Sequence, residues 1–148
     1  MIPRHGFERP LRIRFAHCDP AGIVFFPQYL VMLNNLVEDW VNDGLGVRYA
    51  DLVGRRRIGL PTVSLQCEFT AVSRMGDDVL MGLSVERVGG KSLTLQIGCR
   101  SGDELRMRAR QVLVFGRAIP RDELAARLDA VTLDSVRQAG RSLLGHQP

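Results

Sequence analysis

A single carboxylate, Asp19, stands directly before Pro20 in the stretch from His17 to Tyr29, which reads HCDPAGIVFFPQY. Because a residue before proline is pushed toward extended backbone, Asp19 cannot belong to the helix predicted to follow. The first N–H groups of that helix have no intrahelical acceptors, and its positive end can stabilise a negatively charged oxygen. A carboxylate beside such a terminus could attack a carbonyl carbon or take a proton from water, so the stretch indicates acyl transfer or hydrolysis.

A second interpretation of the same residues needs no chemistry. Aspartate, proline and glycine are common turn residues for reasons of backbone geometry alone, so residues 19–22 could simply be a turn. The chain offers no other obvious nucleophile, because it lacks a GxSxG motif and its three histidines, His5, His17 and His146, form no recognisable pattern with Ser or Cys. From the residues alone, the turn and the catalytic carboxylate both stay open.

The element that must position Asp19 is an amphipathic helix. From Pro27 onward apolar residues recur at steps of three and four, at Leu30, Leu33, Leu36, Val37, Trp40 and Val41. Pro27 suits the first helical position, and Gly44 and Gly46 can adopt the left-handed backbone that ends helices. The pattern predicts a helix of about four turns starting at Pro27.

Alternating apolar and polar residues predict strands on both sides of this helix. The first is residues 11–16, and after a loop at 47–60 with a helical turn at 49–52 come residues 63–70, 79–88, 93–99 and 105–115. Short turn-rich connections at 89–90 and 101–103 favour hairpins, so the last four strands are predicted to form an antiparallel meander. One apolar helix face and one apolar sheet face must cover each other, which predicts an α+β fold.

Composition places the chain among single-domain globular proteins. Its 148 residues are 45% hydrophobic and carry 20 basic against 16 acidic side chains. We expect one domain over residues 1–148, with a core at about 11–116 and a peripheral C-terminal helix at about 120–145. The three distant cysteines and the lack of an apolar leader or membrane span favour the cytoplasm. No nucleic-acid-binding motif accompanies the basic excess, so neither nucleic acid nor membrane is an expected partner.

The string DPAGIV, followed by an aromatic pair, a proline and Tyr29, resembles the signature of hotdog-fold acyl-CoA thioesterases of the 4-hydroxybenzoyl-CoA thioesterase type. Weaker agreement extends through residues 59–64, 77–80 and 91–92. The resemblance implies a long central helix wrapped by a five-stranded antiparallel sheet, in a homodimer whose sheets join edge to edge or in a homotetramer. It also implies an acyl-CoA substrate, with coenzyme A entering as part of that substrate and with no separate cofactor or metal.

The resemblance also implies roles for individual residues. Asp19 matches the catalytic carboxylate, acting either as nucleophile through a mixed anhydride or as general base on water. The backbone N–H of Phe26, where relatives often have tyrosine, matches the oxyanion donor. Asn34 falls where the 4-hydroxybenzoyl enzyme presents a carboxylate to the phenol. An amide can bond a hydroxyl but supplies no charge, so benzoyl, hydroxybenzoyl and short aliphatic acyl groups all stay open. The other positions that match substrate-lining residues are Tyr49, Leu60, Pro61 and Thr62.

Coenzyme A is expected to contact a different group of residues. Lys91 matches a basic residue on the nucleotide, with Ser92 and Arg87 beside it, and a phosphate-rich ligand gives these side chains a reason. Gly89 and Gly90 stand where the 4-hydroxybenzoyl enzyme has arginines, so Arg87, Arg74 or the run at 55–57 would have to supply the missing phosphate contacts.

Two other functions fit the same resemblance. The chain could bind acyl-CoA or an acyl-carrier protein without turnover. Hotdog hydratases pair a histidine with an aspartate or glutamate, for which His17 and Glu38 are available. The DPAGIV string and a carboxylate that precedes the helix favour the thioesterase.

Overall fold

The computed structural model describes residues 6–117, so the helix predicted at about 120–145 lies outside the described residues. Its elements in chain order are β1 (Phe7–Arg12), α1 (Phe26–Asp39), α2 (Tyr49–Gly54), β2 (Ile58–Gly59), β3 (Thr62–Phe69), β4 (Asp78–Val88), β5 (Ser92–Ser101), β6 (Glu104–Val114) and β7 (Gly116–Arg117). A 3₁₀ turn at Phe15–His17 precedes α1, and a π-helical turn at Trp40–Gly44 extends it.

The long helix forms where the apolar period predicted it, with one correction at its start. Helix α1 begins at Phe26, so Pro27 is its second residue, and Phe25 before it has extended backbone. Proline is tolerated throughout the first turn because its missing N–H would have no intrahelical partner there. The π-helical turn ends at Gly44, and Gly46 has a φ of +66°. No helix among residues 6–117 is long and apolar enough to cross a membrane.

The predicted five-stranded antiparallel sheet is present, but its strand order is β1-β4-β5-β6-β3. The simple meander is therefore wrong, because β3 pairs with β6 and forms the edge opposite β1. Connections of two or three residues make hairpins of β4, β5 and β6, as their turn residues predicted. Eight residues separate β3 from β4, too many for a tight hairpin, and β1 takes the place beside β4.

The first strand lies four residues earlier than its alternation predicted. It occupies Phe7–Arg12 and ends where Arg12 pairs with Asp78, the first residue of β4. Beyond that pair the neighbouring chain is the connection at 70–77, so no strand is left for β1 to extend along. Pro10 is accommodated because an edge strand need not donate every N–H. Phe15, predicted inside the strand, lies in the 3₁₀ turn with 81% of its surface exposed.

The core lies between α1 and the sheet face that it covers. Its helix side chains are Tyr29, Met32, Leu33, Leu36 and Val37, which pack with buried residues of the sheet such as Met81, Leu83, Leu95, Ile97 and Met107.

Two rows of paired residues mark opposite ends of the sheet. In one row Thr62 pairs with Leu113, Leu113 with Leu93 and Leu93 with Val88; in the other Phe69 pairs with Met107, Met107 with Cys99 and Cys99 with Met81. We call these the Thr62 end and the Phe69 end.

Candidate active site

Residues 19–22 do form a turn, as the simpler interpretation of the sequence required. The Gly22 N–H donates to the Asp19 carbonyl at 2.9 Å, and Gly22 has a φ of +74° that favours glycine. The Ala21 N–H donates to Oδ1 of the Asp19 carboxylate at 2.8 Å, which fixes the side chain against its own turn. The turn is thus compatible with a catalytic role, because it holds a half-buried carboxylate in one orientation.

The segment after the turn runs back toward the chain that preceded it and then enters α1. Asp19 donates its N–H to the Ile23 carbonyl at 3.0 Å, and Phe25 donates its N–H to the His17 carbonyl at 3.0 Å. Within residues 6–117, no backbone acceptor outside the helix takes the Phe26 N–H, and the first residue of a helix has none inside it. A carboxylate and an available helix N-terminal donor therefore belong to one narrow loop, which we call the Asp19 loop (residues 17–26).

A second segment, the connection at residues 70–77, braces the Asp19 loop. Val24 donates its N–H to the Ser73 carbonyl at 2.9 Å, and Met75 donates its N–H to the Gly22 carbonyl at 3.0 Å. Ile23 and Arg74 form an isolated antiparallel bridge between the same two segments. The loop that carries Asp19 is thus held like a strand, although it belongs to no sheet.

The helix itself is joined to this connection by a buried pair of hydroxyl groups. Tyr29 donates its O–H to Oγ of Ser73 at 2.7 Å, and the two residues are 3% and 1% exposed. Burial raises the pKa of Tyr29, so the phenol stays neutral at physiological pH. The ring of Phe69, at the end of β3, lies with its centroid 5.5 Å from that of Tyr29 and 6.2 Å from that of Phe26.

A cavity of about 360 Å³ opens beside this helix terminus. Val24, Phe26 and Tyr29 line one side of it, and residues 69–73 line the other. Its walls are apolar and aromatic apart from hydroxyl groups, and hydrophobic walls with a few polar groups are typical of small-molecule sites. Asn34 is exposed to solvent and is not among the residues that line this cavity.

His17 faces a different environment. Its Nδ1 accepts the Arg14 N–H at 3.0 Å, and partial burial, with the nearby Arg14 charge, lowers the pKa of the imidazole. It lines a separate cavity of about 140 Å³ with Asn35 and Asp39, whereas Glu38 is exposed to solvent and does not line it. The structure therefore does not bring His17 and Glu38 together in one cavity, as a hydratase pair would require.

The residues expected to contact coenzyme A lie at the Thr62 end of the sheet. Lys91 ends the turn between β4 and β5 and Ser92 begins β5, and the Phe115 N–H donates to the Lys91 carbonyl at 2.9 Å. Arg87 is exposed one residue before the end of β4. Pro61 lies close by, since its carbonyl accepts the Val114 N–H at 3.0 Å.

Most of the expected substrate-lining residues share that end. Leu60, Pro61 and Thr62 lead into β3, and Tyr49 opens α2, which packs against β2. The Tyr49 N–H donates to the Asn42 side chain at 2.8 Å, which places it by the C-terminal end of α1. Arg55, Arg56 and Arg57 are exposed just after α2, whereas Arg74 belongs to the connection that braces the Asp19 loop.

The structure therefore separates the predicted site residues into two groups. Asp19 and Phe26 lie with Tyr29 and Phe69 at the Phe69 end, and the expected coenzyme A contacts lie at the Thr62 end. Seven residue steps along extended β3 lead from Thr62 to Phe69, a distance of about 23 Å. Within one chain the two groups do not meet.

Two residues near the Asp19 loop were missed by sequence reasoning. Ser73 has no motif around it, and Phe69 was predicted only as part of a strand. Tyr29 offered a signal, because a phenol on the buried face of a helix normally has a hydrogen-bond partner. Among residues 6–117, no group of three His, Cys, Asp or Glu side chains is placed to hold a metal ion.

Solved structures of thioesterases share this architecture. The 4-hydroxybenzoyl-CoA thioesterase from Pseudomonas sp. strain CBS-3 superposes with a TM-score of 0.67 at 26% identity, covering 81% of this chain and 97% of that one. A 1,4-dihydroxy-2-naphthoyl-CoA thioesterase from Synechocystis gives a TM-score of 0.68 at 23% identity over 77% of this chain and 83% of its own. A gentisyl-coenzyme A thioesterase gives 0.70 at 24% identity over 75% and 89%. The last two show the fold alone.

Sequence comparison identifies the family. The Pseudomonas 4-hydroxybenzoyl-CoA thioesterase is 31% identical over 110 residues, which are 70% of this chain and 78% of that protein. The profile of the thioesterase-like superfamily matches residues 13–128, which include the Asp19 loop, α1 and four of the five strands of the sheet, β1 lying before the match. The chain belongs to the thioesterase-like superfamily of hotdog-fold thioester hydrolases.

Proposed function

We propose that this protein hydrolyses an acyl-CoA thioester to a free acid and coenzyme A, with Asp19 as the catalytic carboxylate and the Phe26 N–H as the oxyanion donor. The observation that carries the proposal is the Asp19 loop itself. It carries an oriented carboxylate and, seven residues later, a helix N-terminal N–H that no acceptor in residues 6–117 takes, and an apolar cavity lined by Phe26 but not by Asp19 opens beside that N–H.

Two chemical routes fit these groups. In the first, an oxygen of Asp19 attacks the thioester carbon, the C–S bond breaks to release coenzyme A, and water then hydrolyses the mixed anhydride. In the second, Asp19 takes a proton from the water that attacks the same carbon. In both, the carbonyl oxygen becomes negatively charged, and the Phe26 N–H at the positive end of α1 stabilises it. Coenzyme A enters only as part of the substrate.

The acyl group is proposed to occupy the cavity beside Phe26. Its aromatic walls favour an aromatic acyl group, such as benzoyl or 4-hydroxybenzoyl, over a charged one, and a short aliphatic acyl group would also fit. The Pseudomonas relative, named for 4-hydroxybenzoyl-CoA, supports the aromatic class. Asn34 of the same chain does not line this cavity, so within one chain it does not contact an acyl group bound there.

A complete site is proposed to need two copies of the chain. Strand β3 is an edge strand with exposed Val63 and Leu65, and unpaired N–H and C=O groups on such an edge favour pairing with another strand. If the β3 strands of two copies pair antiparallel, the Thr62 end of one copy lies beside the Phe69 end of the other. Lys91, Ser92 and Arg87 of the second copy would then hold coenzyme A for the Asp19 of the first. A homodimer is the smallest assembly that does this, and a homotetramer could contain two.

The first test is release of free thiol from a panel of aromatic and short aliphatic acyl-CoAs. Asp19→Asn keeps the size of the side chain and removes its charge, so we expect kcat to fall by about 10³-fold or more. Asp103→Asn is the matched control, because Asp103 is an exposed carboxylate in the turn between β5 and β6, and we expect it to keep wild-type activity.

Equal activity of Asp19→Asn and wild type on every thioester would refute the role of Asp19. Wild-type protein that binds acyl-CoA or an acyl-carrier protein but hydrolyses no thioester would instead support the second candidate function, a non-catalytic binding module. That candidate has the same cavity in its favour, because a cavity for an acyl group does not require turnover.

A further inference from the structure

We propose that Ser73 is a positioning residue for the oxyanion site, fixing the backbone on both sides of Phe26 while touching no substrate atom that reacts. The inference rests on the proposed thioesterase function, since it concerns the donor used in that reaction. It assigns a role to a buried serine on the connection between β3 and β4, far along the chain from the Asp19 loop.

Ser73 makes two contacts that bracket Phe26. Its carbonyl accepts the Val24 N–H at 2.9 Å, two residues before Phe26, and its Oγ accepts the Tyr29 O–H at 2.7 Å, three residues after it. The main-chain hydrogen bond fixes the extended segment that precedes the helix, and the side-chain hydrogen bond fixes the first helical turn. One residue thereby sets where the chain between Val24 and Tyr29 lies, and the Phe26 N–H lies within that stretch.

Ser73 can serve this purpose because its own segment is anchored to the sheet. The Arg106 side chain on β6 is largely buried; its Nη1 donates to the Val72 carbonyl, and its Nη2 lies 3.8 Å from the Asp77 carboxylate. The Arg106 carbonyl accepts the Thr70 N–H at 2.9 Å. Both ends of the connection are thus held by Arg106 of the sheet, so the hydrogen bonds from Ser73 fix the helix terminus relative to the sheet.

The buried hydroxyl pair is difficult to explain by packing alone. Phenylalanine at 29 and alanine at 73 would fill nearly the same volume without burying polar groups that must find a partner. A direct bond between two hydroxyls defines a distance and a direction, which apolar contacts do not. Oxyanion stabilisation depends on such precision, because donors must meet the developing charge within a few tenths of an ångström.

The test is a double-substitution cycle on the full-length protein with Tyr29→Phe, Ser73→Ala and both together. The assay is thiol release from the best acyl-CoA of the wild-type panel. We expect each single substitution to lower kcat by about 10- to 100-fold with KM changed by less than about threefold, because the misplaced donor weakens transition-state binding and not substrate binding. The double variant should be no slower than the slower single variant, because the two hydroxyls act as one unit.

Thermal unfolding separates positioning from a general loss of structure. Ile97→Val is the matched control, since it removes one buried methylene group from central strand β5. We expect it to lower the unfolding midpoint while kcat at 25 °C stays within about twofold of wild type. If Ser73→Ala fails to fold, Tyr29→Phe decides alone, because it keeps the ring packed against Phe69.

Single variants whose kcat stays within about twofold of wild type would overturn the role of Ser73 while Asp19→Asn still abolishes turnover. Additive losses in the double variant would overturn the hydroxyl pair as a unit. Absence of turnover in the wild-type protein would instead overturn the thioesterase function and, with it, this inference. The three measurements therefore distinguish loss of the positioning role of Ser73 from absence of the thioesterase function.

Discussion

Cys99, near the end of β5, belongs to the closed core between α1 and the sheet. Its side chain is 0% exposed, and burial raises the pKa of the thiol to about 12. Because the thiolate is the reactive form, we expect iodoacetamide at pH 8 to leave Cys99 unmodified in the folded protein and to modify it once guanidinium chloride has unfolded the chain. Peptide mass spectrometry of the two samples measures this. Cys18 and Cys67, both partly exposed, are internal references. Equal labelling of Cys99 in both samples would contradict a closed core.

Single residues were predictable where their chemistry is local. The turn around Asp19 follows from the sequence Asp-Pro-Ala-Gly, because each of these residues has a backbone preference that needs no tertiary contact. Ser73 was not predictable in this way. Its partner Tyr29 lies 44 positions away, and only the folded chain brings the two hydroxyls together. A single sequence carries no signal for such a pair beyond the buried phenol.

The Asp19 loop behaves as an element of its own, and its backbone shape depends on Gly22. A methyl group added at Gly22 would meet nothing within 4 Å, so the penalty of Gly22→Ala comes from its φ of +74° and not from a clash. Gly102→Ala is a matched control, since Gly102 has a φ of +56° and equally open surroundings in the turn between β5 and β6. We expect both substitutions to lower the free energy of unfolding by about 1–2 kcal/mol, because alanine disfavours left-handed backbone.

Activity should distinguish the two glycine variants. Gly22→Ala strains the turn that orients the Asp19 carboxylate and the contact between Gly22 and Met75, so its kcat should fall by about tenfold or more. Gly102→Ala is distant in sequence and should keep wild-type kcat. Equal kcat values at equal loss of stability would indicate that the exact shape of the Asp19 loop does not matter for turnover.

Elements that can be recognised from the spacing of their own apolar residues were predicted well. Helix α1 follows from its apolar spacing. Strands β4, β5 and β6 follow from alternation and short turns, because each of these strands pairs with its neighbour in sequence. The bounds of β1 and the pairing partner of β3 were predicted less accurately, since these strands lie at the two edges of the sheet. The end of β1 depends on where β4 begins, and the position of β3 depends on the closed hairpins of β4–β6, neither of which is visible within the strand itself.

At the scale of the whole molecule, the distribution of the predicted site residues is itself informative. The resemblance implied one site, yet a single chain carries its two parts at opposite ends of β3, about 23 Å apart. The sequence alone could not show this separation, because it depends on strand order. The proposed second copy, with its β3 paired antiparallel to this one, would bring the two parts together and would place a strand beside exposed Val63 and Leu65.

Mixed dimers provide the sharpest test of this arrangement. Asp19→Asn and Lys91→Ala each damage one part of the site, so each homodimer should show low kcat/KM. In a mixed dimer, one site combines the wild-type Asp19 of one chain with the wild-type Lys91 of the other, whereas its second site carries both changes. If the two parts come from different copies, each mixed dimer should have about half of the wild-type activity in thiol-release assays. A statistical 1:1 mixture should then show about a quarter of the wild-type activity, because about half of its dimers are mixed.

Disruption of the β3 edge should separate the two copies and thereby lower the activity. Val63→Lys combined with Leu65→Lys puts two charges on the edge, which disfavours strand pairing, and light scattering should then report a single-chain mass. Val88→Lys, a change at an even more exposed apolar residue at the end of β4, is the control that should keep the dimer. Because a lone chain would keep Asp19 but lose the partner's Lys91, we expect kcat/KM to fall mainly through KM. Full activity in a single-chain species, or no gain on mixing the damaged subunits, would show that each chain completes its own site.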